Sequence, residues 1–144
     1  MAFTSGDSVW ATGAQTTSSK TASQARTSLG LPFTETARAG TVAVPTVLTA
    51  ADAGIVNTNT GAQAKVGITL PSAAAAAGLF AFINTAAIGM RISAPAGQTI
   101  RIIDAVSASG GYIEPTRQYA TLLLLPIGAT EWMYLAGDLS WLPV

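Results

Sequence analysis

Gly89-Met-Arg-Ile-Ser-Ala-Pro-Ala-Gly-Gln-Thr-Ile-Arg-Ile-Ile103 is the stretch that decides the fold. Met90 and Ile92, and again Ile100 and Ile102, place apolar side chains at every second position, with Arg91 and Arg101 between them. A two-residue period is that of a half-buried strand, so the four apolar side chains look inward and the two arginines outward. Pro95 and Gly97 separate the two alternations with turn chemistry. The same texture extends in both directions. From Thr41 onward, short β-branched and apolar runs are broken by Gly, Pro, Asn or Asp at roughly eight- to twelve-residue intervals, the spacing of a sandwich or barrel.

Eight strands are expected, near 41–48, 54–58, 65–70, 79–84, 89–93, 99–103, 119–125 and 131–136, with short extras at 112–114 and 140–142. Val66, Ile68 and Leu70 repeat the inward alternation. The run 122–125 is continuously apolar, which fits a strand covered on both faces by a second sheet or by another subunit. Pro71, Ser72 and the alanines 73–77, closed by Gly78, read as one or two helical turns. Thr49 to Gly54 reads as a single turn in which Thr49 and Asp52 can bond backbone amides. Trp132, Tyr134 and Trp141 are expected to close one end of the core. There is no internal repeat of 20–50 residues, which disfavours a solenoid or propeller.

Residues 1–40 differ. They are rich in Ser, Thr, Ala, Gly and Gln and poor in large apolar side chains, so they cannot bury enough surface to fold alone. We read them as an extended N-terminal arm, with 41–144 as the β-domain. Ser19 or Thr21 can cap a short helix through Ala22, Ala25, Arg26 and Leu29, closed by Gly30 with Pro32 beyond. Phe3, Trp10, Leu29, Leu31 and Phe33 stand well apart in this polar stretch and suit anchors seated one by one in a partner's pockets. The alternative is a leader ordered only by contacts with neighbours.

The 144 residues are 49% hydrophobic and only 10% charged, with no net charge, against a charged share of about 25% in soluble proteins. A surface this poor in charge tends to be covered by a partner, and a neutral chain has nothing to attract a polyanion. Self-association as a dimer or trimer is expected, and direct nucleic-acid binding is not. The N-terminus lacks the pattern of a signal peptide. The longest apolar stretch, 119–129, is interrupted by Pro126 and Gly128 and falls short of the roughly 18 residues of a membrane span.

Histidine and cysteine are both absent, which removes the commonest general base, every triad that uses it and any thiolate metal site. The seven carboxylates, Asp7, Glu35, Asp52, Asp104, Glu114, Glu131 and Asp138, are scattered singly, without metal-binding spacing. No catalytic residue, metal or cofactor is expected. A glycosidase would need two of these carboxylates to converge in a cleft, about 5–10 Å apart. Asp52 and Asp104 read as turn residues, and Gly110-Gly111 as a hairpin turn. Arg26, Arg38 and Arg117 either meet acidic patches on a partner or remain solvated.

The region from Thr41 to Trp141 resembles a recurring small β-domain of tailed-phage structural proteins. The resemblance is carried by Leu48-Thr-Ala-Ala-Asp-Ala-Gly54, Val56-Asn-Thr-Asn-Thr-Gly61, and Ile68-Thr-Leu-Pro71 with its alanine run and Gly78. Gly97-Gln-Thr-Ile-Arg-Ile102 and the Trp132 strand, closing with Gly137 and Trp141, complete it. Lys20 to Leu31 is also similar to linker segments of phage tail fibres. The resemblance implies a virion component with a jelly-roll-like sandwich, so the expected class is an all-β, antiparallel β-sandwich of about eight strands preceded by the arm. It further implies a non-enzymatic capsid decoration, or cement, protein on the capsid surface. Such a subunit is made in the host cytoplasm and binds across major capsid protein subunits. The alternative is a tail-fibre or receptor- and glycan-binding module in which Tyr112, Tyr119 or Trp141 stacks on sugar rings. Deleting residues 1–33 should leave a folded domain that no longer co-sediments with capsids, and undiminished binding by the truncated chain would refute the arm reading.

Overall fold

The computed structural model describes residues 34–144. Among the described residues the regular structure is one 3₁₀ turn (Ala50–Asp52) and twelve strands: β1 (Thr34–Ala37), β2 (Thr46–Val47), β3 (Ile55–Thr58), β4 (Val66–Thr69), β5 (Phe80–Ile83), β6 (Met90–Ser93), β7 (Thr99–Ile102), β8 (Ala105–Val106), β9 (Tyr112–Pro115), β10 (Thr121–Ile127), β11 (Glu131–Gly137) and β12 (Trp141–Pro143). They form a seven-stranded sheet in the order β1-β3-β5-β10-β11-β7-β8 and a five-stranded sheet in the order β12-β9-β6-β4-β2.

The inward alternation read from the sequence is present in both sheets. Met90 and Ile92 are fully buried on β6, and Ile100 and Ile102 are buried on β7, while Arg91 and Arg101 between them are half-buried. Phe80, Phe82, Leu122, Leu124 and Trp132 from the larger sheet join Val66, Ile68, Met90, Ile92, Ile113 and Trp141 from the smaller in one apolar cluster. Two sheets sharing one core is a sandwich arrangement. At its centre Phe80 meets Trp132 edge to face, with ring centroids 5.1 Å apart and planes at 88°, the geometry preferred by aromatic quadrupoles.

The expected antiparallel, jelly-roll-like order is not what the sheets show, since both are mixed. β2 runs parallel to β4, β4 to β6, β3 to β5 and β7 to β11. The cause lies in the connections. From β2 to β7 the chain changes sheet at every step, so a strand's nearest neighbour in its own sheet is two strands away in sequence and points the same way. Thr46 faces Ile68 and Val66 faces Met90, while in the other sheet Val56 faces Ala81. These are successive circuits of a flattened coil, although the sequence carries no matching repeat. Tight loops return the chain antiparallel beside itself at Ile103-Asp104 between β7 and β8 and at 128–130 between β10 and β11, and longer connections make β5 with β10, β6 with β9 and β9 with β12 antiparallel as well. Gly110, expected in a hairpin, takes φ 68° on a crossing from the larger sheet to the smaller.

Other expectations shift locally. Most of 41–48 is irregular, with only Thr46–Val47 in β2. Residues 34–37, read as part of the arm, form β1 at the edge of the larger sheet beside β3. The run 122–125 alternates, Leu122 and Leu124 buried and Leu123 and Leu125 half-buried, instead of being covered on both faces. The alanine run is a single turn in which Ala75 and Ala76 donate to the Ser72 carbonyl. Gly67 sits in β4 where a side chain would run into the Thr41 carbonyl, and its N–H donates to Gly40 O at 3.0 Å.

Buried amides hold the crossings together. Asn59 and Asn84 are 0% and 2% exposed. Asn59 Nδ2 donates to Asn84 Oδ1 at 2.9 Å and to Gly89 O at 3.0 Å, while its Oδ1 accepts from the Ala86 N–H at 2.9 Å. Asn84 Nδ2 donates in turn to Arg117 O at 2.8 Å. On another crossing, Gln98 accepts from the Ala73 N–H and donates to Ser72 Oγ, both at 3.0 Å. Removing a buried amide leaves its former partners without water or replacement, at about 1–3 kcal/mol per group. Asn59→Ala should therefore lower unfolding free energy by about 3 kcal/mol in chemical denaturation, and a loss below about 0.5 kcal/mol would show that the amide pair does not brace the loops.

Candidate functional site

Two surface regions stand out. The first is apolar. Val42, Val44 and Val47 are 37%, 75% and 65% exposed on the segment that leads into and forms the edge strand β2. At the opposite edges, Ile103 and Val106 flank the β7–β8 turn, and Leu142 lies on the outer face of β12, opposite in direction to buried Trp141. Ile103 holds φ at 56°, a left-handed conformation that is costly for a β-branched residue.

Charge does little to screen these surfaces. Every Lys and Arg among the described residues is engaged in an ion pair: Arg38 with Asp52, Lys65 and Arg91 with Glu114, Arg101 with Glu131, and Arg117 with Asp138. Arg38 and Arg117, considered as partners for acidic patches elsewhere, are thus matched within the chain, and Arg26 lies outside the described residues. Arg91 also stacks over the Tyr112 ring, 3.8 Å from its centroid.

Four carboxylates, Asp52, Glu114, Glu131 and Asp138, are tuned toward ionisation. Burial raises the Asp52 carboxyl, but the Thr49 N–H, 2.7 Å away, and the Arg38 guanidinium outweigh it and leave the pKa lowered. Asp52 is therefore the turn residue expected. Glu114 follows the same pattern, burial opposing and Lys65 with Arg91 prevailing. Hydrogen bonding from Arg101 lowers Glu131. Asp104 occupies the β7–β8 turn and acts on Arg101 through its charge. Asp138 is lowered to about 2: burial raises it, and the Ser140 hydroxyl, the Thr121 and Ser140 N–H groups and Arg117 overcome that.

The second region is a groove of about 330 Å³ between the 84–90 and 114–118 segments. Lys65, Glu114, Arg117 and Gln118 supply its polar wall and Ile88, 42% exposed, an apolar one. Immediately after Gln118 comes Tyr119, 67% exposed with φ at 61°. The three aromatics considered for sugar stacking are thus separated by the fold: Trp141 is fully buried, Tyr112 is half-buried under Arg91, and Tyr119 stands free.

Among the described residues, no three acidic side chains gather in a metal-binding group, and no helix is long and apolar enough to cross a membrane. The anchors Phe3, Trp10, Leu29, Leu31 and Phe33 lie outside the described residues. Sequence reading missed Asn59, Asn84 and Gln98, because polar residues between strands look like turn chemistry wherever the turn ends up. Comparisons with family models, curated proteins and solved structures return no match to this chain.

Asp138 generates a pH test. Its folded pKa of about 2 lies below the ordinary aspartate value of 3.8, so its contribution is complete above 3.8 and disappears as pH falls through about 2. Asp138→Asn should cost about 1.5 kcal/mol at neutral pH, and the gap to the unaltered chain should close between pH 4 and 2 in denaturant titrations. A gap independent of pH would show that the ionised carboxylate is not the stabilising species.

Proposed function

We propose that this chain is a non-enzymatic structural subunit of a bacteriophage particle. In this reading it is a capsid decoration protein that sits on the head and binds across major capsid protein subunits. The observation that carries the assembly part is the apolar edge at Val42, Val44 and Val47 on a surface whose cations are all internally matched. Water gains when such an edge is covered, and no unpaired cation among the described residues opposes its burial. The phage setting rests on the resemblance of 41–141 to small β-domains of tailed-phage structural proteins.

The mechanism is burial repeated over a lattice. An interface of about 1,000 Å² or more per copy suffices for stable association, and repetition multiplies its effect through local concentration. The subunit associates with further copies as a dimer or trimer, and the 1–40 segment supplies Phe3, Trp10, Leu29, Leu31 and Phe33 as anchors between capsid subunits.

Val44→Lys combined with Val47→Lys provides the test. Both side chains are exposed, so the folded chain should change in stability by less than about 0.5 kcal/mol. Association with purified heads, counted by electron microscopy of labelled copies, should be lost. Heads still covered by the double variant would sink the edge reading, and a handful of copies at the tail tip alone would replace decoration by the tail-fibre role.

A further inference from the structure

A sheet with one face on the core ordinarily turns polar side chains outward on the other. Across its centre the larger sheet does not. Phe80, Phe82, Leu122, Leu124 and Trp132 belong to the core, so the residues next to them along each strand lie on the outer face. Strands β3, β5 and β10 contain no charged residue. Charge returns only at the margin, where Arg101 on β7 pairs with Glu131 on β11.

The pairing register gives this face its relief. Val56 on β3 lies opposite Ala81 on β5, Ala81 opposite Leu123 on β10, and Leu123 opposite Ala136 on β11. Residues directly opposite one another share a face, so the four make one row across four strands. Large and small side chains alternate along it. Ala81, 5% exposed, is the floor between half-buried Val56 and Leu123. Ile83 with Thr121 and Leu125 with Met133 form the rows on either side. A twofold axis parallel to the strands, between β5 and β10, reverses the row onto itself. Val56 of one copy then comes over Ala136 of the other, and Leu123 over Ala81, so every large side chain meets a small one in both directions. That is the isologous pattern, in which residue i meets j and j meets i. A second copy therefore supplies the relief and the lack of charge that this face requires, and sheets stack in this way about 10 Å apart. Four strands about 4.8 Å apart, up to seven residues long at about 3.3 Å each, give a flat patch of about 400 Å² per copy. Such a patch suits a weak, exchangeable contact, smaller than that of an obligate dimer.

We propose that the outer face of the larger sheet is the contact between two copies of this chain, centred where Leu123 of each seats over Ala81 of the other. The inference rests on the self-association in the reading above and deepens it, by naming the surface and setting the order at two. It leaves the edge at Val42, Val44 and Val47 open to a different partner.

The test is analytical ultracentrifugation of the full chain without capsids, from about 1 to 300 µM, where a monomer–dimer equilibrium with a Kd of about 1–100 µM is expected. Leu123→Lys should weaken it at least tenfold. Ala81→Leu alone, which fills the trough, and Leu123→Ala alone, which removes the ridge, should each weaken it as well. The two combined exchange large for small on both copies and should restore the dimer to within about threefold of the unaltered chain. Val44→Lys with Val47→Lys should dimerise normally, so failure of the edge to bind heads and failure of this face to pair copies are separate results. A full chain that stays monomeric at about 300 µM, one that closes as a trimer, or a dimer indifferent to Leu123→Lys would overturn the proposal. So would an exchanged double variant that keeps the circular dichroism of the unaltered chain yet remains monomeric. A monomeric chain whose binding to heads is abolished by Leu123→Lys would assign the face to a capsid protein instead.

Discussion

At three of the crossings between the sheets, backbone groups at Ala86, Gly89, Arg117 and Ala73 are met by side-chain amides. Buried backbone groups left unpaired are costly, so the architecture requires a side-chain partner at these crossings. Asn59, Asn84 and Gln98 meet that requirement. Their amides offer donors and acceptors at the reach of a loop carbonyl or N–H, and each bonds to backbone, to another amide or to Ser72. The apolar cluster fills the space between the sheets, but these amides decide which loops lie side by side at its ends. The path of 117–120, with Arg117 O held by Asn84, is one product of that constraint.

The strands were legible because burial imposes a period on the sequence. Met90, Ile92, Ile100 and Ile102 alternate with half-buried neighbours, Val66 and Ile68 flank buried Gly67, and each of the six lies inward where the alternation puts it. Pairing direction was not legible. Alternation is identical for parallel and antiparallel neighbours, and only loop length and path distinguish them. Ile103-Asp104 turns the chain back on itself, whereas Gly110-Gly111, with equally good turn chemistry, leads to the other sheet. β1 was missed because Thr34–Ala37 is an edge strand with little buried surface. Of the candidate site, the sequence indicated which aromatics were present, but only packing separates buried Trp141 from exposed Tyr119. Asn84 gave no distinguishing signal, since an asparagine after a strand reads the same whether its amide meets solvent or another buried amide.

Charge placement and apolar exposure belong together. With so few ionisable groups, pairing each described cation with a carboxylate leaves the surface largely neutral, and exposed valines and leucines meet little electrostatic opposition to contact. Pairing also keeps the carboxylates ionised, as the lowered values at Asp52, Glu114, Glu131 and Asp138 show. Exposed ion pairs of this kind add little stability individually. Their effect here is to fix side chains that would otherwise dilute the apolar edges.

The alternation of the chain between sheets also bears on how the molecule reaches its folded state. From β2 to β7, neighbours within a sheet are separated by an intervening strand in the opposite sheet, so this part of neither sheet can form ahead of the other from contiguous chain. Nor can one peel away while the other persists. Contacts of long sequence separation delay the return on loop closure, and a sandwich knitted in this manner should fold slowly and open as a unit. In such a weave, resistance to piecemeal opening comes at the expense of speed of formation.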